Sequence, residues 1–180
     1  LGETKRPDLA VEAFSRLADR CPDLDLVIAG PDKGMGPRLR RLVTRLGIEG
    51  RVRIPGGVYG DEKQALLANA LCLCHPSRHE ACSMSILEAL ANGIPVITTR
   101  EACMPSLERT GAGKIVEPTP ESIAKAILEI ASDSRLRESM ARAGRKLARS
   151  EHAWADIERR VFAAYETAIK GATGSAAQAT

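Results

Sequence analysis

The 180-residue chain is 44% hydrophobic and 27% charged, with a net charge of +3, which describes one ordinary globular domain against a prior of about 150 residues per domain. Five aromatics and so small a charge argue against a base-stacking or phosphate-tracking surface, so no nucleic acid partner is expected. No apolar run approaches the roughly 18 residues of a membrane span and no signal-peptide pattern opens the chain, so a soluble, cytoplasmic protein without a transmembrane segment is expected.

In chain order, the opening LGETKRPD reads as a loop entered from something upstream. Leu9, Ala10, Ala13, Phe14 and Leu17 recur at helical spacing and predict a first helix over Pro7 to Arg20, with Pro7 in the first turn that tolerates its missing N–H. Leu24 to Ala29 reads as a buried strand ended by Gly30-Pro31, followed by a Gly-rich loop to Gly36 and a helix through Leu39, Leu42, Val43 and Leu46. Further strands are expected over Arg51 to Ile54, Leu71 to His75, Pro95 to Thr99 and Gly113 to Val116, with helices over Asp61 to Ala70 and Ser83 to Asn92 between them. Strands alternating with helices at this spacing mean βαβ units, so the fold class is α/β, a Rossmann-like parallel sheet with helices on both faces. Beyond Pro120 the pattern is helical: Glu121 to Ala131, Ser134 to Ala148, and a last helix striped by Trp154, Ile157, Val161, Tyr165 and Ala168. Residues 1–170 form the expected domain, and the small, polar end 171–180 is expected to be a disordered tail.

Several fingerprints fail. Gly34-Met35-Gly36 lacks the third glycine of a dinucleotide loop, Gly111-Ala112-Gly113-Lys114 lacks half of a P-loop, and His79-Glu80 is followed by Ser83 where a zinc-protease helix needs its second His. Five cysteines, odd in number and mostly within apolar segments, suit reduced thiols. Cys72, Cys74, His75, His79 and Cys82 carry soft ligand atoms, but Cys72 and Cys74 fall in a buried strand where Cys packs as a small hydrophobe, so no metal is expected.

Ligands of open parallel sheets bind beyond the carboxyl ends of the strands, where helix N-termini offer free N–H groups to phosphates. The loops that qualify are 30–36, 55–60, 76–83 and 100–106. PSRHEACS is the richest of them in polar groups and leads into a turn, Ser83-Met84-Ser85, suited to a diphosphate. Glu80 and Glu88 bracket that turn. The plain structural roles would be a solvated loop carboxylate for Glu80 and a capping box with Ser85 for Glu88. Lys5 and Arg6 precede a helix N-terminus, where cations oppose the dipole by some 0.3 to 1 kcal/mol each; an anion bound there would resolve the conflict.

These residues resemble the retaining, GT-B-fold glycosyltransferases of the family 4 type (group 1). The resemblance runs through KRPDLAVEAF, LVIAGP, GIEGRVRIPGGV, PSRHEACSMSILEALANGIPVITT, TGAGKIVEP and the late HAW. Its most specific piece is Glu80-x7-Glu88 followed by Ala89-Leu90-Ala91-x-Gly93-x-Pro95-Val96. It implies the donor-binding half of a longer enzyme, which transfers a hexose from a UDP-, GDP- or ADP-sugar to an acceptor hydroxyl with retention and without a metal or other cofactor. Glu80 looks like the carboxylate at the donor sugar's hydroxyls and Glu88 like the one at the ribose. Lys5 matches the diphosphate lysine, the amides of Ser83, Met84 and Ser85 the phosphate-binding turn, and Gly56, Gly57 and Val58 the base-proximal segment. Lys5 and Glu80 would be the catalytic pair. An N-terminal acceptor-binding domain would complete the enzyme, with the helix after Trp154 returning to it and any peripheral membrane contact coming through it. The chain departs from the family pattern at Ala81 and Cys82, where a glycine and an aromatic are usual, and at Ser106, where a Glu is usual. The rival functions are a non-catalytic nucleotide-sugar binding module and a sugar-nucleotide epimerase of similar fold.

Overall fold

The computed structural model describes residues 1–176, and 177–180 lie outside it. Five strands, β1 (Leu26–Ala29), β2 (Val52–Gly56), β3 (Leu73–His75), β4 (Val96–Thr98) and β5 (Gly113–Ile115), alternate with helices α1 (Pro7–Ser15), α2 (Gly36–Arg45), α3 (Gly60–Ala68), α4 (Met84–Asn92) and α5 (Ser106–Thr110). Three further helices close the domain: α6 (Pro120–Ser132), α7 (Ser134–Glu151) and α8 (Trp154–Ala176). All pairing is parallel, and the hydrogen-bonded ladders form two groups, β1-β2 and β3-β4-β5.

The two groups share one core, and alternation along β4 shows how. Ile97 is fully buried in a cluster with Val11 and Phe14 of α1, Ile28 of β1, Leu39 of α2 and Ile123 of α6. Val96, one residue earlier and therefore on the opposite face, is fully buried among Ile86 and Leu90 of α4, Leu107 of α5 and Leu147 of α7. Helices thus cover both faces, and the α/β expectation holds. On the second face α4 and α7 approach closely at Gly144, where an added Cβ would lie 3.2 Å from Leu90 Cδ2 and 3.4 Å from the Leu90 carbonyl oxygen.

Most strand ends fall within two residues of the sequence reading, and larger differences occur at the first helix and in the C-terminal segment. The first helix stops at Ser15 instead of Arg20: Leu17 leaves the α region at φ −123, ψ −6, and Ala18–Arg20 form a separate 3-10 turn. That turn ends at Cys21, which takes φ −130, ψ 73, since a residue before proline is pushed out of the α region. The segment expected to be a tail, 171–180, overlaps α8 over 171–176, and its remainder lies outside the described residues. Among the described residues no helix is long and apolar enough to cross a membrane.

Candidate functional site

The carboxyl ends of β3 and β4 and the N-terminus of α4 meet at the 76–83 loop. Two threonines at the end of β4 anchor what precedes that loop: Thr98 Oγ1 donates to the His75 carbonyl and Thr99 Oγ1 to the Ser77 carbonyl, both at 2.7 Å. The opening segment of the chain is laced to the same loop, since the Thr4 carbonyl accepts from Ser77 Oγ at 3.0 Å and from the Arg78 amide at 2.8 Å. This backbone lacing delivers Lys5, the last residue of a 3-10 turn, to the loop.

Lys5 Nζ donates to Glu80 Oε1. The same oxygen lies 2.8 Å from His75 Nε2, which in turn lies 3.3 Å from Ser83 Oγ. Glu80 is 8% exposed, so the structure overturns the plain reading of it as a solvated loop carboxylate. The reason is the fold-back of the loop, whose Glu80 amide donates to the Glu101 carbonyl at 3.3 Å. Burial alone would raise the Glu80 carboxyl; hydrogen bonds from Lys5, His75 and Ser77 outweigh it and hold the group below the usual carboxylate range. Burial also pushes the His75 imidazole below its ordinary value, with Glu80 opposing and Lys5 reinforcing. Arg6, in the left-handed region at φ 49, pairs instead with Asp8 at 3.2 Å. Both cations at the α1 N-terminus are therefore answered by carboxylates.

Ser83 is the N-cap of α4, its hydroxyl accepting from the Ile86 amide at 3.5 Å. Met84 and Ser85 open the helix, so their amides have no partner one turn back. This start overturns the capping box read for Ser85 and Glu88, because from a cap at Ser83 the residue in the box position is Ile86. Glu88 lies one turn further on and its carboxylate meets Lys63 Nζ of α3 at 2.8 Å. The loop leading into α3 is the one expected near a base: Gly56 ends β2 at φ +90, Val58 is buried, and a Cβ at Gly57 would lie 2.8 Å from the Tyr59 ring. Of the predicted residues, Lys5, Glu80 and Ser83 are thus linked at the α4 N-terminus through His75, whereas Glu88 lies one turn along α4 and meets Lys63 of α3, the helix that the Gly56 to Val58 loop leads into.

Sequence reasoning missed His75 and Lys63 as members of these groups. His75 carried a signal, its place at the carboxyl end of a parallel strand; Lys63, on an exposed helix, carried none. Among the described residues no cluster of three His, Cys, Asp or Glu is arranged to hold a metal. Cys72 and Cys74 pack against the larger core, and burial raises both thiols, that of Cys72 to about 12. The site's resources are a buried ionised carboxylate held by fixed donors, a half-exposed ammonium and the free amides of a helix N-terminus.

Residues 1–147 match the family described as Glycosyl transferases group 1. Over 134 residues the chain is 32% identical to a GDP-mannose-dependent alpha-(1-6)-phosphatidylinositol dimannoside mannosyltransferase of Mycobacterium tuberculosis, a match covering 73% of this chain and 34% of that protein. Its fold is similar to that of Anabaena HepE in complex with UDP-glucose, with a TM-score of 0.82 at 20% identity over 93% of this chain and 46% of the other. It is also similar to the C-terminal domain of a group 1 family protein, LpcC, from Francisella tularensis, with a TM-score of 0.74 at 23% identity over 86% and 83% of the two chains. The chain spans about a third of the length of the curated relatives it matches.

Proposed function

The chain belongs to the glycosyl transferases of group 1, and from that premise we propose that it is the donor-binding part of a longer hexosyltransferase. It binds a nucleoside-diphosphate sugar, whose hexose passes to an acceptor hydroxyl with retention of configuration. One observation carries the reading: Lys5 and Glu80, brought together from opposite ends of a long stretch of chain, flank the N-terminus of α4 beyond the carboxyl ends of β3 and β4. Lys5 and the first-turn amides of Ser83, Met84 and Ser85 take the diphosphate, and they stabilise the charge that develops on it as the sugar leaves. Glu80 receives the sugar's hydroxyls, Glu88 the ribose, and the Gly56, Gly57 and Val58 segment lies toward the base. The acceptor is held by the rest of the longer protein, a view supported by the likeness to a C-terminal domain and by the third of the relatives' length that the chain spans.

The named donors of the relatives, GDP-mannose for one and UDP-glucose for the other, make the nucleotide the first thing to test. Thermal unfolding is measured with UDP, GDP and ADP and their hexose conjugates, on the wild type and on Glu88→Ala. A ligand at 100 times its dissociation constant adds about 2.7 kcal/mol of stability, so one nucleotide series raises the melting temperature and the variant loses that rise. No shift with any series overturns the donor-site reading for this chain.

A further inference from the structure

His75 is the buried group at the site to which the family resemblance assigns nothing. Its backbone is fixed by Thr98, its ring is 12% exposed, and Nε2 faces both Glu80 Oε1 and Ser83 Oγ. An ionised carboxylate only accepts hydrogen bonds, so the ring nitrogen 2.8 Å from it carries the proton. The neighbouring cation, Lys5, and burial both disfavour a second proton on the ring, which leaves a neutral imidazole with its hydrogen on Nε2.

Of the three donors to Glu80, Ser77 shares its hydroxyl with the Thr4 and His79 carbonyls, and the other two differ in freedom. Lys5 is 49% exposed and can swing to a phosphate, whereas the His75 ring is enclosed and stays. Both bonds fall on Oε1. We propose that His75 is a positioning residue of the donor site: when a diphosphate draws Lys5 away, the His75 Nε2–H keeps Glu80 in place through Oε1 and leaves Oε2 to accept a hydroxyl of the donor sugar. The Ser83 hydroxyl lies 3.3 Å from the same nitrogen, whose one hydrogen goes to Glu80, so the ring sits against the N-cap of α4 and the carboxylate for the sugar is placed next to the turn for the diphosphate. This assignment rests on the donor-site reading above.

Two measurements on the 180-residue chain test it. The first needs no ligand: long-range ¹H–¹⁵N spectra give the tautomer and titration of each imidazole, and loss of a signal in His75→Gln identifies His75. The expected result is the Nε2–H tautomer and a midpoint that moves down in Glu80→Gln, where the carboxylate that favours the imidazolium is gone. An Nδ1–H tautomer or an unmoved midpoint overturns the pairing. The second compares affinity for a nucleoside diphosphate with that for its hexose conjugate. His75→Phe, which keeps the bulk and removes the donor, lowers the preference for the conjugate about tenfold, the scale of one hydrogen bond to a charged group. His75→Gln, whose amide N–H can replace Nε2–H, restores most of that preference. A merely structural His75 would weaken both ligands alike in both variants, and that result sinks the proposal. If no nucleotide binds the wild type, the donor-site reading fails, and the spectra still decide the His75 pairing.

Discussion

Glu80 and Glu88 are the same residue on either side of one helix start, and the fold treats them oppositely. Glu80 is 8% exposed and held by groups from separate parts of the chain, Lys5 of the opening segment, His75 at the end of β3 and Ser77 of its own loop. Glu88 has a third of its side chain in water and meets Lys63 of the neighbouring helix. A carboxylate withdrawn from water must be met by donors or be neutralised, and these donors are drawn from elements that only the complete fold brings together. A carboxylate at the surface needs none of this. Glu80 is thus part of the architecture as well as of the proposed chemistry, while Glu88 can meet a ligand at little structural expense.

The largest effect separates chemistry from architecture. In the complete transferase, Lys5→Ala and Glu80→Ala are expected to lower kcat by about 10² to 10³, the range for removing one preorganised group at developing charge. Measured with saturating donor and acceptor, turnover at the wild-type level in either variant would break the assignment of the first group to the reaction.

The next effect is on stability. Glu80→Ala strands the enclosed His75 donor and should lower the unfolding free energy by about 2 kcal/mol, whereas Glu88→Ala should stay within about 0.5 kcal/mol. Urea unfolding of both variants checks this, and equal losses would erase the distinction between the two carboxylates. Acid sharpens it. The folded-state pKa of Glu80 lies below its unfolded value of 4.5, so its ionised form contributes stability that is fully present above that value. That contribution is lost as the pH falls through the lower, folded value. The gap between wild type and Glu80→Gln should therefore be steady near neutrality and close on acidification. A gap that stays open as the pH falls below 4.5 would contradict the sign.

Much of this was legible in the sequence for reasons that are local. The apolar runs that mark β1 to β5 and the stripes that mark α1, α2, α4, α6 and α7 record burial, and burial decided the fold. The five-residue α5 escaped, because Ser106 to Thr110 is too short to show a period and offers only Leu107 to the core. Capping was misread at α4, because Ser83 and Ser85 are both competent caps, and it is Ser83 that accepts from the Ile86 amide. The pairing of Lys5 with Glu80 crosses 75 residues of chain. No periodicity encodes such a contact; the family resemblance assigned both residues to one site, and the lacing of Thr4 to the 76–83 loop shows how the fold brings them together.

The smallest effect tests whether Glu88 is as loosely held as its exposure says. Its partner Lys63 is 36% exposed and Glu88 34%, at an N–O distance of 2.8 Å. An ion pair in that setting is worth roughly 0.2 to 1 kcal/mol, since water screens both charges and two long side chains must be ordered to make it. A double-mutant cycle with Glu88→Ala and Lys63→Ala should give a coupling energy in that range, shrinking as salt is raised to 1 M, where the Debye length is about 3 Å. A coupling that is larger and indifferent to salt would mean the pair is desolvated when it forms. Glu88 would then have to abandon a strong partner to receive a ribose, and the contrast with Glu80 would fail.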